Sequence, residues 1–98
     1  MARIIWTAEA LADVNRLYLF LVEKNQDAAN RVAQAILEAV NLLELHPEIG
    51  RLADDVMLFA RELVIPFAST GYLALYRFDG NDAVILAVRH QLEVGYLL

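Results

Sequence analysis

The chain contains no cysteine, which excludes disulfides, a thiolate nucleophile and cysteine-ligated zinc and leaves packing alone to hold the fold. Cations are scarce as well. The only lysine is Lys24, and eight Lys and Arg face thirteen Asp and Glu for a net charge of −5. Nucleic-acid-binding domains ordinarily carry a basic footprint, so the overall field repels RNA and DNA. No direct nucleic-acid contact is expected without a local arginine cluster, and a basic protein partner is favoured instead.

The four glycines stand apart at Gly50, Gly71, Gly80 and Gly95, so no loop resembles a phosphate-cradling glycine motif. Long apolar runs are missing too: stretches such as Leu17–Val22 and Ala83–Val88 hold six residues, against about 20 for a membrane-spanning helix. The opening Met1–Trp6 reaches Thr7 and Glu9 before the apolar region of a signal peptide could form. A cytoplasmic protein without a membrane partner is expected. His46 and His90 have no spacing that links them to a carboxylate pair, and Asp54-Asp55 and the pair Glu44 and Glu48 read as solvated groups. Neither a metal nor a cofactor is implied.

Apolar residues, by contrast, are abundant. They make up 59% of the chain, with a mean hydropathy of +0.44, above the roughly 45–50% of an ordinary soluble domain. A 98-residue chain forms one domain, residues 1–98, and removes only about two-thirds of its surface from water. Part of the apolar excess must therefore be covered by a partner.

The pattern along the chain is that of an α+β domain. Arg3–Trp6 is β-branched and aromatic, a first strand, and Thr7 is a helix N-cap. From Ala8 to about Lys24, Leu11, Val14, Leu17, Tyr18, Leu21 and Val22 recur at helical spacing, while Leu19 and Phe20 intrude on the polar side. Lys24-Asn25-Gln26 is the bend of an αα-hairpin, with Asn25 or Asp27 starting a second helix that runs to about Leu45. Its polar stripe is Asp27, Arg31, Gln34, Glu38 and Asn41. His46-Pro47 ends it and Gly50 can turn. Arg51–Asp55 is expected to be a polar loop, Met57–Ile65 a strand stopped by Pro66, and Phe67–Gly71 a connection. Tyr72–Phe78 and Ala83–His90 are strands flanking the turn Asp79-Gly80-Asn81-Asp82. The order is β-α-α-β-β-β, a helical hairpin on a small, largely antiparallel sheet.

Several pieces in this order resemble ParE toxins of the RelE/ParE superfamily. They are Ile5-Trp6-Thr7 with Glu9–Asp13, Ala28-Ala29, His46-Pro47-Glu48-Ile49-Gly50-Arg51, Arg61-Glu62-Leu63, Leu75-Tyr76-Arg77 and Val88-Arg89-His90-Gln91. The resemblance implies the RelE/ParE-like fold and a bacterial toxin of a type II toxin–antitoxin system, neutralised by a cognate antitoxin. It implies DNA gyrase as a protein target, or, as in RelE-like relatives, ribosome-dependent cleavage of mRNA. One position departs from the pattern: where ParE-like sequences with this ending often carry another cation after His-Gln, this chain has Leu92, followed by Glu93.

The two activities require different chemistry. RNA cleavage through the 2′-hydroxyl needs a base, cations for the developing phosphate charge and an acid for the leaving oxygen. Only Arg61, Arg77, Arg89, His90 and Tyr96 are available for it, and Arg77 and Arg89 are expected to pair with Glu62, Asp79 or Glu93 instead. The same five residues are therefore assigned to target contact, with no catalytic residue. A third reading is a detoxified antitoxin-binding module. Leu17, Leu19, Phe20, Leu97 and Leu98 are assigned to the antitoxin, whose tail can order on the toxin. A homodimer, or a heterotetramer with the antitoxin, would also cover the apolar excess.

Overall fold

In the computed structural model, which describes residues 1–98, β1 (Arg3–Trp6) lies parallel to the last strand of the chain. It pairs with β5 (Asp82–His90) in the register Arg3↔Asp82 to Trp6↔Ile85. α1 (Ala8–Val22) starts at Thr7, whose Oγ accepts the Ala10 N–H at 3.1 Å and donates to the Ile85 carbonyl at 2.7 Å. One hydroxyl thus satisfies a free amide of the first turn and pins the helix start to β5. α2 (Gln26–Asn41) is capped by Asn25, whose Oδ1 accepts the Ala28 N–H at 3.0 Å. The helix ends four residues earlier than the pattern predicts, tightening into a 3₁₀ turn over Leu42–Glu44 before Pro47. A tightened last turn supplies partners for carbonyls that the α pattern leaves open.

The strands on the β3 side differ from those expected. The predicted loop after Gly50 contains a short β2 (Arg51–Leu52), and β3 spans Arg61–Phe67 rather than beginning at Met57. Met57–Ala60 instead closes a loop in which the Ala53 N–H reaches the Ala60 carbonyl at 2.9 Å. Pro66 does not stop the strand. It pairs with Gly71, while β2 covers only Arg61 and Glu62, so the missing N–H falls on an unpaired edge where a proline is tolerated. β4 (Thr70–Phe78) follows after only Ala68 and Ser69, with Ala68 at φ 51°. At the β4–β5 turn, Asp79 Oδ1 accepts the amides of Asn81 at 2.9 Å and Asp82 at 2.7 Å, and Gly80 takes φ 98°.

The sheet order is β1-β5-β4-β3-β2, antiparallel except for β1 with β5. Both helices lie on one face. Val32, Ile36 and Val40 from α2 and Leu17 from α1 meet Leu63, Ile65, Tyr72, Tyr76, Ile85 and Val88 in the main core. On the other face Leu75 and Ala87 pack only against Ala53 and Ala60, with Met57, Leu86 and Tyr96 around them. The α+β architecture is the one expected. No helix is long and apolar enough to cross a membrane.

One irregularity decides which way the end of β5 faces. The partner of Leu75 is Ala87 and that of Tyr76 is Ile85, so Leu86 is an extra residue. A bulge reverses the side-chain alternation: Ala83 and Ile85 face the helices, yet so does Val88. Asp13, 4% exposed, accepts the Val88 amide at Oδ2 at 2.9 Å.

Candidate functional site

Strand alternation puts two neighbours that the sequence groups together on opposite faces, and the bulge sets which face each one takes. His90 lies on the helical side, edge-on to Tyr72 with ring centroids 5.0 Å apart. Its Nδ1 accepts the Leu92 amide at 3.1 Å, so the ring proton lies on Nε2 and donates to Thr70 Oγ at 2.7 Å. Arg89 lies on the opposite side. It donates to the Glu93 carbonyl at 2.5 Å, and its guanidinium sits 5.1 Å from the centre of the Tyr96 ring.

The segment after β5 therefore folds back over the face that the helices leave uncovered. Tyr96 donates to Glu62 Oε2 at 2.5 Å, and Arg51 reaches Glu62 Oε1 at 3.1 Å. Burial first, and then the hydrogen bond to Glu62 and its charge, push the Tyr96 phenol far above the ordinary tyrosine range. It is a neutral donor at physiological pH. Burial would raise the Glu93 carboxyl, but the His90 amide at 2.8 Å and the Arg16 guanidinium at 2.9 Å outweigh it and hold the carboxyl below its usual value. Glu93, which stands in the stretch departing from the family pattern, thus ties this segment to α1.

The expected ion pairs of Arg77 and Arg89 do not form. Arg89 finds backbone carbonyls because Arg16 and Arg51 already hold Glu93 and Glu62. Asp79 is turned into its own turn, where the amides of Asp82 and Asn81 hold its carboxyl below the usual range. Arg61 is a structural latch: it donates to the carbonyls of Glu48 at 3.0 Å and Gly50 at 2.8 Å and pairs with Glu48. Beside it the Tyr76 hydroxyl accepts the Gly50 amide at 2.9 Å and donates to the Pro47 carbonyl at 2.8 Å. A Cβ on Gly50 would come within 2.7 Å of Tyr76 and 2.9 Å of the Glu62 carbonyl, so only glycine fits. Of the five predicted contact residues, Arg61 and His90 belong to the helical side, Arg89 and Tyr96 hold each other, and Arg77 alone stands free.

The residues assigned to the antitoxin divide as well. Leu17 is 6% exposed and belongs to the core, whereas Leu19, Phe20, Leu97 and Leu98 are exposed. Leu17 and Phe20 line a cleft of about 640 Å³ with Val32, Phe67, Tyr72 and Leu92. Lys24 stacks on Phe20 at 4.4 Å and Arg31 on Phe67 at 5.8 Å, so cations rim an apolar trough. Leu19, Leu97 and Leu98 are not among its walls.

Sequence reasoning missed three contributors. Asp13 was legible, since an acid between Ala10 and Leu17 on the apolar stripe needs a buried partner. Glu62 and Arg16 gave no such signal, because their partners come from the segment folded over the sheet.

Comparison with known proteins agrees with this architecture. The family model of the ParE toxin of the type II toxin–antitoxin system, parDE, matches residues 4–95. The toxin RelE2 of Caulobacter vibrioides is 36% identical over 92 residues, covering 92% of this chain and 96% of that protein. The toxin RelE3 of the same bacterium is 33% identical over 84 residues, covering 86% and 88%. A solved chain of the chromosomal ParDE toxin–antitoxin system of P. aeruginosa superimposes with a TM-score of 0.77 at 25% identity, over 92% of this chain and 96% of that one.

Proposed function

The chain belongs to the ParE toxin family of type II toxin–antitoxin systems, and we propose that it acts without catalysis, by occupying a protein surface, with DNA gyrase as the target. The observation that carries this reading is the dispersal of its proton-transfer and phosphate-binding candidates. His90 and Arg89 lie on opposite faces, Arg61 is spent on loop carbonyls, and the Tyr96 phenol donates to a buried carboxylate. General acid–base chemistry needs such groups within hydrogen-bond reach of one reacting centre. Binding a protein surface needs only that the surface be presented.

The cognate antitoxin, in this reading, fills the cleft between the helical hairpin and the β3–β4 turn. An amphipathic segment laying apolar side chains against Leu17, Phe20, Val32 and Phe67 would bury the exposed face of α1. Acidic residues flanking those anchors would meet Lys24 and Arg31. Calorimetry with the antitoxin tests it: Phe20→Glu weakens binding by tenfold or more, about 1.4 kcal/mol, and unchanged affinity places the antitoxin elsewhere.

A second reading, ribosome-dependent mRNA cleavage, comes from the relatives, which are named RelE toxins. The deciding experiment sets the purified protein against gyrase holoenzyme with plasmid and ATP, and in parallel against programmed ribosomes. Inhibited supercoiling or trapped linear DNA is expected. Codon-dependent mRNA cuts lost in His90→Ala would replace the present reading with the nuclease one.

A further inference from the structure

On the face away from the helices, β4 and β5 and the loop before β3 enclose a hollow of about 430 Å³ lined by Phe59, Arg77, Phe78, Asp79, Val84 and Leu86. Two of these residues stand out. Arg77 is the only one of the eight cationic side chains with no ion pair, no hydrogen bond and no aromatic ring beneath it. Arg3, Arg16, Arg31, Arg51 and Arg61 are in ion pairs, Lys24 stacks on Phe20, and Arg89 holds carbonyls and Tyr96. Phe59 has φ 65°, a left-handed conformation uncommon for an aromatic residue, and is nonetheless 69% exposed. Asp54 Oδ1 accepts its amide at 2.9 Å and holds the turn. A hydrophobic ring held mostly in water by a left-handed, hydrogen-bonded turn buries little within this chain, so internal packing does not account for its conformation.

We propose that this hollow seats the toxin's protein target, with Arg77 taking a single carboxylate side chain while Phe59 and Leu86 pack its apolar surroundings. The proposal rests on the reading of the chain as a non-enzymatic toxin and names the surface that reading requires. Charge selects the occupant. A nucleic acid brings a row of phosphates to a protein of net charge −5 and has one free guanidinium to meet them, whereas nucleic-acid affinity comes from several phosphate contacts together. A lone carboxylate on a protein feels chiefly Arg77, because charges beyond about 8 Å are screened at physiological salt. Asp79, the one acid among the lining residues, turns its Oδ1 to the amides of its own turn. Leu58, also exposed, adds apolar surface next to Phe59 in the chain, so an apolar centre with a charged anchor has the anatomy of a protein interface.

The test uses the whole chain, induced in bacteria without antitoxin, and in parallel purified and added to gyrase holoenzyme with plasmid and ATP. The variants are Arg77→Glu, Arg77→Lys and Phe59→Gly. Glycine adopts the positive φ at position 59 freely, so deleting the ring there leaves the fold at least as stable, which thermal unfolding checks. Arg77→Glu and Phe59→Gly should each require roughly tenfold more protein for the same growth arrest and the same inhibition, with Arg77→Lys in between and antitoxin binding at the opposite face retained. Arrest undiminished in both Arg77→Glu and Phe59→Gly overturns the assignment of this surface alone. No arrest by the unaltered chain overturns the toxin reading and this inference with it. Cuts in mRNA on programmed ribosomes that vanish in Arg77→Glu would make the hollow a nucleic-acid site and overturn the protein partner.

Discussion

The two faces of the sheet are built by different means. Against the helices, branched aliphatic and aromatic side chains interlock, and the polar groups admitted there, Asp13 and the Tyr76 hydroxyl, each hold backbone groups. Across the other face small residues predominate, Ala53, Ala60 and Ala87 around Leu75, and the cover is a charged and aromatic strap through Glu62, Arg51, Arg89 and Tyr96. The first face is made for burial. The second, thinly packed, presents free groups at its margin. The proposed function gives each face one partner, the antitoxin on the helical side and the target on the other.

If that contrast is right, truncation should be far more damaging on the helical side. Ile36→Ala removes a fully buried side chain from among rigid neighbours, and a loss of about 2–5 kcal/mol is expected, a large share of the roughly 5–15 kcal/mol of a domain. Leu75→Ala on the opposite face should lose less, because the Ala53–Ala60 loop can settle into the space and cavity terms shrink where neighbours collapse. Urea unfolding of the two variants measures the difference. Equal losses would show that the strap side is a second full core.

A finer test lies at the seam between helix and bulge. Asp13→Ala leaves the Val88 amide buried without an acceptor, for an expected loss of about 1–3 kcal/mol, and removes the contact that holds the irregular turn of β5. Hydrogen exchange at Val88 should speed up more than at Ile85, which sits before the bulge. Uniform acceleration would mean that the bulge is set by the strands alone.

This bulge also marks where the sequence stops being readable. Helices, caps and the Asp79–Asp82 turn follow from local rules: a period near 3.6, Thr7 and Asn25 before the first turns, and Asp-Gly between apolar strands. The faces of Arg89 and His90 do not, because one extra residue in β5 reverses every side chain beyond it. The fold-back of residues 91–98 was equally invisible. It depends on Glu93 meeting Arg16 and on Tyr96 meeting Glu62, partners 77 and 34 positions away, and apolar residues without periodicity carry no hint of them. Phe59 lay inside a predicted strand, so its left-handed turn had no sequence signal either.

The smallest expected effect concerns the strap itself. Tyr96→Phe keeps the ring over Arg89 and removes the hydrogen bond to Glu62, an expected loss of about 1–2 kcal/mol near neutral pH. The folded phenol is raised above its unfolded value, about 10, so its contribution is complete below that pH and drains away as pH rises toward the folded value. The advantage of the unaltered chain over Tyr96→Phe should therefore narrow on the alkaline side. Tyr72, raised by burial and then by the charge of Glu93, and Tyr76, raised by burial, remain in both proteins and belong to the helical core. Their share of the alkaline loss persists in the variant, and urea titrations at a series of pH values from neutral to about 11 separate it from the share of the strap. A gap between the two proteins that stays constant over that range would mean that Glu62 does not hold the Tyr96 proton, and the strap would then be an apolar cover rather than a hydrogen-bonded one.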